Sequence, residues 1–298
     1  MTNLFIYVII NGNDENHNIN KRKDNLAMKI GLIGAQNSHS RHFCQAINKS
    51  GKFGDAVISY IYGGDDEAIC KRLCEEFELT ECASEDEVIE KSDAVVITYR
   101  SGSIHYSPVI KAIKAGKPVF NDKPFATNVA EAEEIAALAK ELNVSVTGGT
   151  NLKSLPELPA IKESIAPGSA IVISFAADPS SEYDGYWFYG CHAAEICLEL
   201  CGLDFISVQS FKNADVVVTN VIYSDKICIL VTAPQSKNLM ISVTNGETRV
   251  CHEVPMNYES VGPEEFVTMV KSGEMPRNYE FYVKAVELVG KIIETAGL

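Results

Sequence analysis

Between residues 29 and 147, short apolar runs alternate with segments of helical periodicity, and this alternation restricts the fold more than any other feature of the chain. The apolar runs are 29–33, 56–62, 94–98, 119–120 and 144–147. Helical spacing fills the gaps at 41–48, at 66–79 through Ile69, Leu73 and Phe77, and at 107–115, which Gly116 closes. Asn128 and Glu131 have the spacing of a capping box, and Val129, Ala132, Ile135, Ala136, Ala139 and Leu142 continue from it as one stripe. Strands that each lead into a helix build a parallel sheet covered on both faces. Residues 28–150 are therefore expected to form a doubly wound domain.

The pattern changes near residue 150. A strand at 169–177 and a helix at 190–201 precede five strand-like runs, at 205–211, 215–223, 226–232, 239–244 and 248–254. No helix separates those five, and Asn245-Gly246 is a hairpin turn signal. A second α+β domain, 151–298, on an open and mostly antiparallel sheet follows. Helices at 264–271 and 278–295 close the chain and are expected to pack back on the first domain. Residues 1–27 lack periodicity and read as a disordered extension, with the fold starting at Met28; the apolar run 4–10 has neither the basic flank nor the cleavage site of a secretory signal.

The formal charge of −14 argues against nucleic acid or an anionic membrane surface as partner. No apolar run reaches the roughly 20 residues of a spanning helix. The nine cysteines are scattered without a C-x-x-C pair, which suits a reducing, cytoplasmic setting and gives no metal site.

Candidate functional residues gather where strands run into loops. After the first strand, a dinucleotide-binding turn would carry G-x-G-x-x-G; here Gly34 fits the first position, while Gln36 and His39 stand at the other two. Amides at this helix start, with Asn37, Ser38 and His39 as further donors, can hold a phosphate or form only a structural turn. Asp65 and Asp66 follow the second strand, where an acid accepts from a ribose hydroxyl or serves its own helix. The acid-rich corner, with no lysine or arginine before Lys71, favours NAD over NADP; Arg100 is the residue able to reverse this. Thr98 ends the third strand, and His105 in the loop beyond it is either a cofactor contact or a solvated or capping histidine. Asp122-Lys123-Pro124 ends the fourth strand. Proline keeps Lys123 out of helical conformation, so its ammonium is expected at a corner, aimed off the sheet edge. His192 follows an aromatic run that includes Phe188 and Tyr189, and is either a general acid/base or part of a helix packed on the sheet.

Taken together, these segments resemble the glucose–fructose oxidoreductase and inositol dehydrogenase family (Gfo/Idh/MocA). Residues 29–42 are similar to its opening strand–turn–helix, and 93–105 with 115–117 to the stretch before its E-K-P motif. Asp122-Lys123-Pro124 resembles that motif with Asp for Glu, and 189–195 resembles its G-x-H-x-x-[DE] helix. Thr150-Asn151-Leu152-Lys153 is similar to its N-x-R segment, and Phe188 falls where the family often has an aspartate. The resemblance implies a Rossmann-like first domain and a second domain whose open sheet faces a partner subunit in a homodimer or homotetramer. It implies hydride transfer between NAD(P) and a sugar, polyol or related compound. Lys123 and His192 would serve the substrate hydroxyl, Asp122 and Lys123 the nicotinamide end of the cofactor, and Lys153 and Tyr189 the substrate. The alternative is a non-catalytic ligand-binding or regulatory member of the same fold.

Overall fold

The computed structural model describes residues 27–236 and 238–298. The extension expected at 1–27 lies outside the described residues apart from Ala27.

The first sheet contains β1 (Met28–Ile33), β2 (Ala56–Tyr62), β3 (Thr80–Glu81), β4 (Ala94–Ile97), β5 (Val119–Asp122) and β6 (Val146–Gly149). Its order is β3-β2-β1-β4-β5-β6 and every pairing is parallel, the doubly wound arrangement that binds ligands at its carboxyl edge. The helices are α1 (Ser38–Cys44), α2 (Glu67–Phe77), α3 (Glu85–Lys91), α4 (Tyr106–Lys114) and α5 (Val129–Leu142). Their starts follow from the sequence: the side chains of Asn37, Asp66, Ser84 and Asn128 each accept a backbone N–H of the first turn. Asp66 is thus a helix cap, the second of the two roles open to it. Neighbouring residues of one strand serve opposite layers: Ile30 and Leu32 of β1 join the core on one face, and Ile33 joins the core on the other.

The second sheet has the order β12-β11-β7-β10-β9-β8, from β7 (Ala170–Ala176), β8 (Ser207–Asn213), β9 (Val216–Ile222), β10 (Ile227–Ala233), β11 (Leu239–Asn245) and β12 (Thr248–Val254). Only β7 and β10 pair in parallel. Along β7, β9 and β10 buried and half-exposed residues alternate, so one face lies on α7 (Trp187–Cys201) and the other is open. That α-helix follows the short α6 (Leu158–Glu163). Ile206, Phe211, Val216 and Met240 remain exposed on or beside this sheet.

Of the last two helices, α8 (Val261–Ser272) packs on the first layer, and α9 (Tyr279–Ala296) packs on both β8 and α5 and so joins the two sheets. Phe266 of α8 lies edge-on to Phe43 and Phe120 of the first layer, at 6.5 and 6.0 Å, and Tyr282 of α9 stacks on Phe125 at 4.7 Å. Aromatic pairs of this kind contribute about 0.5–1.5 kcal/mol each beyond their burial. The resulting unit holds α7 against the carboxyl edge of the first sheet.

Candidate active site

A cleft of about 1070 Å³ runs along that edge, with the turn after β1 at one end and α7 at the other.

At the turn, Gly34 has φ +97°, and a Cβ there would lie 2.6 Å from the Tyr99 backbone nitrogen, so no other residue fits. His39, which stands at one of the remaining glycine positions, and its neighbour Asn37 have side-chain partners inside the protein. His39 Nδ1 lies 2.8 Å from Asp122 Oδ2, and Asn37 Nδ2 donates to the same oxygen at 2.9 Å. These contacts tie the turn to the end of β5. Burial pushes the Asp122 carboxyl up, but His39 and Lys123 outweigh it and hold the group below its ordinary value. Asp65 accepts from the backbone nitrogens of Ala35 at 2.7 Å and Gln36 at 3.1 Å. The Thr98 hydroxyl donates to Gly34 O at 3.0 Å.

At the other end, Lys123 does not project freely off the sheet edge. It is 3% exposed, donates to Phe188 O at 3.3 Å, and lies 3.6 Å from the centre of the Phe188 ring. Burial pulls its pKa down, Asp122 opposes this, and Arg100 adds to it. His192 is also buried, between the Phe175 ring at 5.4 Å and the Tyr189 ring at 5.1 Å. Its Nδ1 is bonded to the hydroxyl of Thr150, just beyond β6. Burial, then the charges of Lys123 and His39, hold the imidazole well below its ordinary pKa, so it is neutral near pH 7. The Thr150 hydroxyl can give or accept a proton and so supports either tautomer.

A buried acid fixes Thr150 in turn. Glu195, one helical turn after His192, accepts from Thr150 N at 3.0 Å and pairs with Lys153 at 3.5 Å. Burial raises the Glu195 carboxyl to about 7 against the pull of Lys153. Gly149 makes room for it: a Cβ there, at φ +68°, would lie 2.4 Å from Glu195 Oε2.

Of the residues singled out in the sequence, Gln36, Asn37, Ser38, His39, Lys123, Tyr189 and His192 line the cleft. Gly34, Asp65, Thr98 and Asp122 stand behind its wall, bonded as described. His105 is a correction: it is fully buried, and its Nε2 bonds to Tyr99 O at 2.8 Å, which makes it a brace for the loop after β4. Lys153 is another: it turns inward to the carbonyls of Gly148 and Thr150 and to Glu195, away from the cleft. Arg41, Arg72, Met256 and Tyr258 line the cleft without having been picked out. Arg72 follows Lys71 directly, and the ring of Tyr258, from the loop after β12, is 5.9 Å from that of His39.

The cleft exceeds the size usual for a drug-sized ligand, which leaves room for a dinucleotide. Amide, hydroxyl and imidazole side chains at its turn end, with Arg41 and Arg72 on the rim, are a donor set suited to a pyrophosphate.

Residues 28–150 match the family described as "Oxidoreductase family, NAD-binding Rossmann fold" (Gfo/Idh/MocA), as the sequence resemblance implied. An uncharacterized oxidoreductase of Streptococcus pneumoniae is 32% identical over 95 residues, which are 32% of this chain and 25% of that protein. The chain thus matches about a quarter of the length of this curated relative. GenD2 from gentamicin A biosynthesis, solved in complex with NAD, superimposes with a TM-score of 0.78 at 15% identity, over 91% of this chain and 94% of that one. A myo-inositol dehydrogenase from Corynebacterium glutamicum gives 0.76 at 16%, over 91% and 97%. At such identities the two structures establish the shared two-sheet fold.

Proposed function

We propose that this protein is an NAD-dependent oxidoreductase acting on a sugar, polyol or related hydroxy or carbonyl compound, with Lys123 and His192 serving the reacting oxygen. The observation that carries this is the meeting of a buried lysine and a neutral buried histidine at one end of a dinucleotide-sized cleft. The nicotinamide, when bound, supplies the hydride acceptor or donor. His192 takes the hydroxyl proton at Nε2 in oxidation and returns it in reduction, while Thr150 fixes the ring through Nδ1. Lys123 stabilises negative charge on the same oxygen, its ammonium strengthened by the low-dielectric setting. Tyr189 and Phe188 exclude water from the two groups. Gln36, Asn37, Ser38 and His39 are the residues to hold the pyrophosphate.

NAD is favoured over NADP because Asp65, Asp66 and Glu67 crowd the corner after β2, and the Arg41 beside it is paired with Glu76. The exposed Ile206, Phe211, Val216 and Met240 support a homodimer or larger assembly through the open sheet. Nine free thiols support a reducing, cytoplasmic location, and among the described residues no helix is long and apolar enough to cross a membrane.

The test is calorimetric titration with NADH and NADPH, followed by absorbance assays with a panel of sugars and polyols. Tighter binding of NADH and turnover of at least one member support the proposal. Absence of binding by either cofactor contradicts it.

A further inference from the structure

Among the described residues, two arginines of the cleft, Arg72 and Arg100, have no counter-ion, and Arg100 is the one held beside Lys123. Among the described residues, Arg100 makes no hydrogen bond and no ion pair, yet it lines the same cleft as Lys123 and His192. Aromatic faces hold its guanidinium: its central carbon lies 4.4 Å from the ring centre of Tyr183 and 5.5 Å from that of Phe188. Lys123 approaches the same Phe188 ring to 3.6 Å. Two cations therefore flank one ring, close enough for Arg100 to depress the Lys123 pKa.

The acids nearby are committed elsewhere or face solvent. Asp122 is taken by His39 and Asn37. Asp184 accepts from Ser103 N, Asp178 from Ser180 N, and Glu76 is paired with Arg41. Glu182 lines the rim but is exposed.

Arg100 also stands on a braced loop. The neighbouring Tyr99 is buried, donates its hydroxyl to Glu85 at 2.9 Å, and has its carbonyl bonded to His105. Two residues on, Gly102 packs under Pro124 so closely that a Cβ would lie 2.2 Å from the proline Cγ. The fold thus fixes a guanidinium beside the reacting lysine, and among the described residues nothing neutralises it. Like charges held together in a partly desolvated site destabilise one another, and an anionic ligand relieves this. The planar fork of arginine fits a carboxylate or phosphate, and its stacking on aromatic rings leaves its donors available.

We propose that the substrate carries an anionic group, a carboxylate or a phosphate, near the hydroxyl or carbonyl that reacts, and that Arg100 binds it beside Lys123. This rests on the oxidoreductase reading of the cleft and narrows its substrate class. A site built around an unpaired charge discriminates strongly against neutral analogues, because they leave that charge unpaired.

The test is calorimetry on the full chain with two anionic probes, D-glucuronate and glucose 6-phosphate, and two neutral ones, glucose and myo-inositol. At least one anionic probe should bind about tenfold tighter than either neutral one. Arg100→Met should weaken that probe about ten- to a hundredfold and leave the neutral probes and NADH unchanged, and Arg100→Lys should restore part of the loss. Arg100→Gln, checked by circular dichroism, replaces the Met variant if that variant fails to fold. Equal affinity for neutral and anionic probes would overturn the proposal, as would no binding of either anion at millimolar concentration or no effect of the substitution. Selective weakening of NADPH in Arg100→Met would assign Arg100 to the cofactor and overturn it too. Failure of the wild type to bind NADH sinks the oxidoreductase reading, while the probe comparison still decides the charge preference.

Discussion

The two ends of the cleft differ in how their polar groups are engaged. At the turn after β1, several groups that could meet a cofactor already have protein partners: Asn37 and His39 hold Asp122, and Asp65 holds the amides of Ala35 and Gln36. At the α7 end, Lys123 has a backbone carbonyl and an aromatic face, Arg100 has aromatic faces alone, and His192 is bonded through Nδ1 to Thr150. His39, at one of the missing glycine positions, and its neighbour Asn37 act as ties between the turn after β1 and the end of β5. The chemically competent groups sit where the second sheet delivers its helix. The absence of the glycines therefore goes with a different way of holding the turn, while Lys123 and His192 still line the cleft.

The largest expected effects lie at the α7 end and fall on activity. His192→Gln and Lys123→Met should each lower kcat by about 10²–10⁴, the range for removing a positioned proton carrier or electrostatic partner. Lys123→Met should leave the melting temperature level or higher, since a buried cation is replaced by an apolar chain of similar length. A drop in stability with normal activity per folded molecule would make these packing residues. In the double variant, a loss smaller than the product of the single losses would show a shared step.

The turn end should respond in stability. His39→Ala removes a hydrogen-bond partner of a fully buried carboxylate, and leaving such a group short of a partner costs about 1–3 kcal/mol. Urea unfolding checks it, and a change under about 1 kcal/mol would erase the contrast between the two ends.

A smaller effect separates ring positioning from packing. Thr150→Val keeps the shape but removes the hydroxyl on His192 Nδ1, so kcat should fall with little change in KM, and Thr150→Ser should recover most of the loss. Equal losses in both variants would make Thr150 a packing residue.

The pH dependence gives the smallest signal. Burial, helped in two of them by neighbouring charges, holds the pKa of His42, His105 and His192 below the ordinary 6.5. As pH falls through 6.5 the unfolded chain takes these protons first, so the stabilisation is present above that pH and lost below it. Glu195 acts in the opposite sense: its carboxyl is raised to about 7, so its contribution is lost as pH climbs from its ordinary 4.5 towards 7. His192→Gln should flatten the acid loss by up to about 1.4 kcal/mol per pH unit, and Glu195→Gln should steepen it between those limits. Urea titrations across pH 4–7 read both slopes. Unchanged slopes would contradict the buried, neutral state of His192.

Much of the fold was legible because its signals are local. The apolar run Ala94–Ile97, the Asn128 cap and the Asn245-Gly246 turn each declare an element within a few residues. The short acidic α3 and the six-residue α6 escaped because neither shows a full apolar stripe. The Asp-Lys-Pro corner and the His192 helix were legible as motifs, but the direction of each side chain was not. His105 bonds a carbonyl six residues back, Lys153 finds two carbonyls and Glu195, and Asp65 folds onto amides about 30 residues away; none of these partners carries a sequence signal. Arg100 gained its setting from Tyr183 and Phe188, which only the packing of the second sheet brings near.

The most direct test of the central claim is a crystal structure of the protein grown with saturating NAD+. The account predicts the pyrophosphate against residues 36–39 and the nicotinamide beside Lys123, with His192 Nε2 facing the same space. A dinucleotide placed with its nicotinamide remote from Lys123 and His192, or a cleft that stays empty at millimolar cofactor, would contradict it.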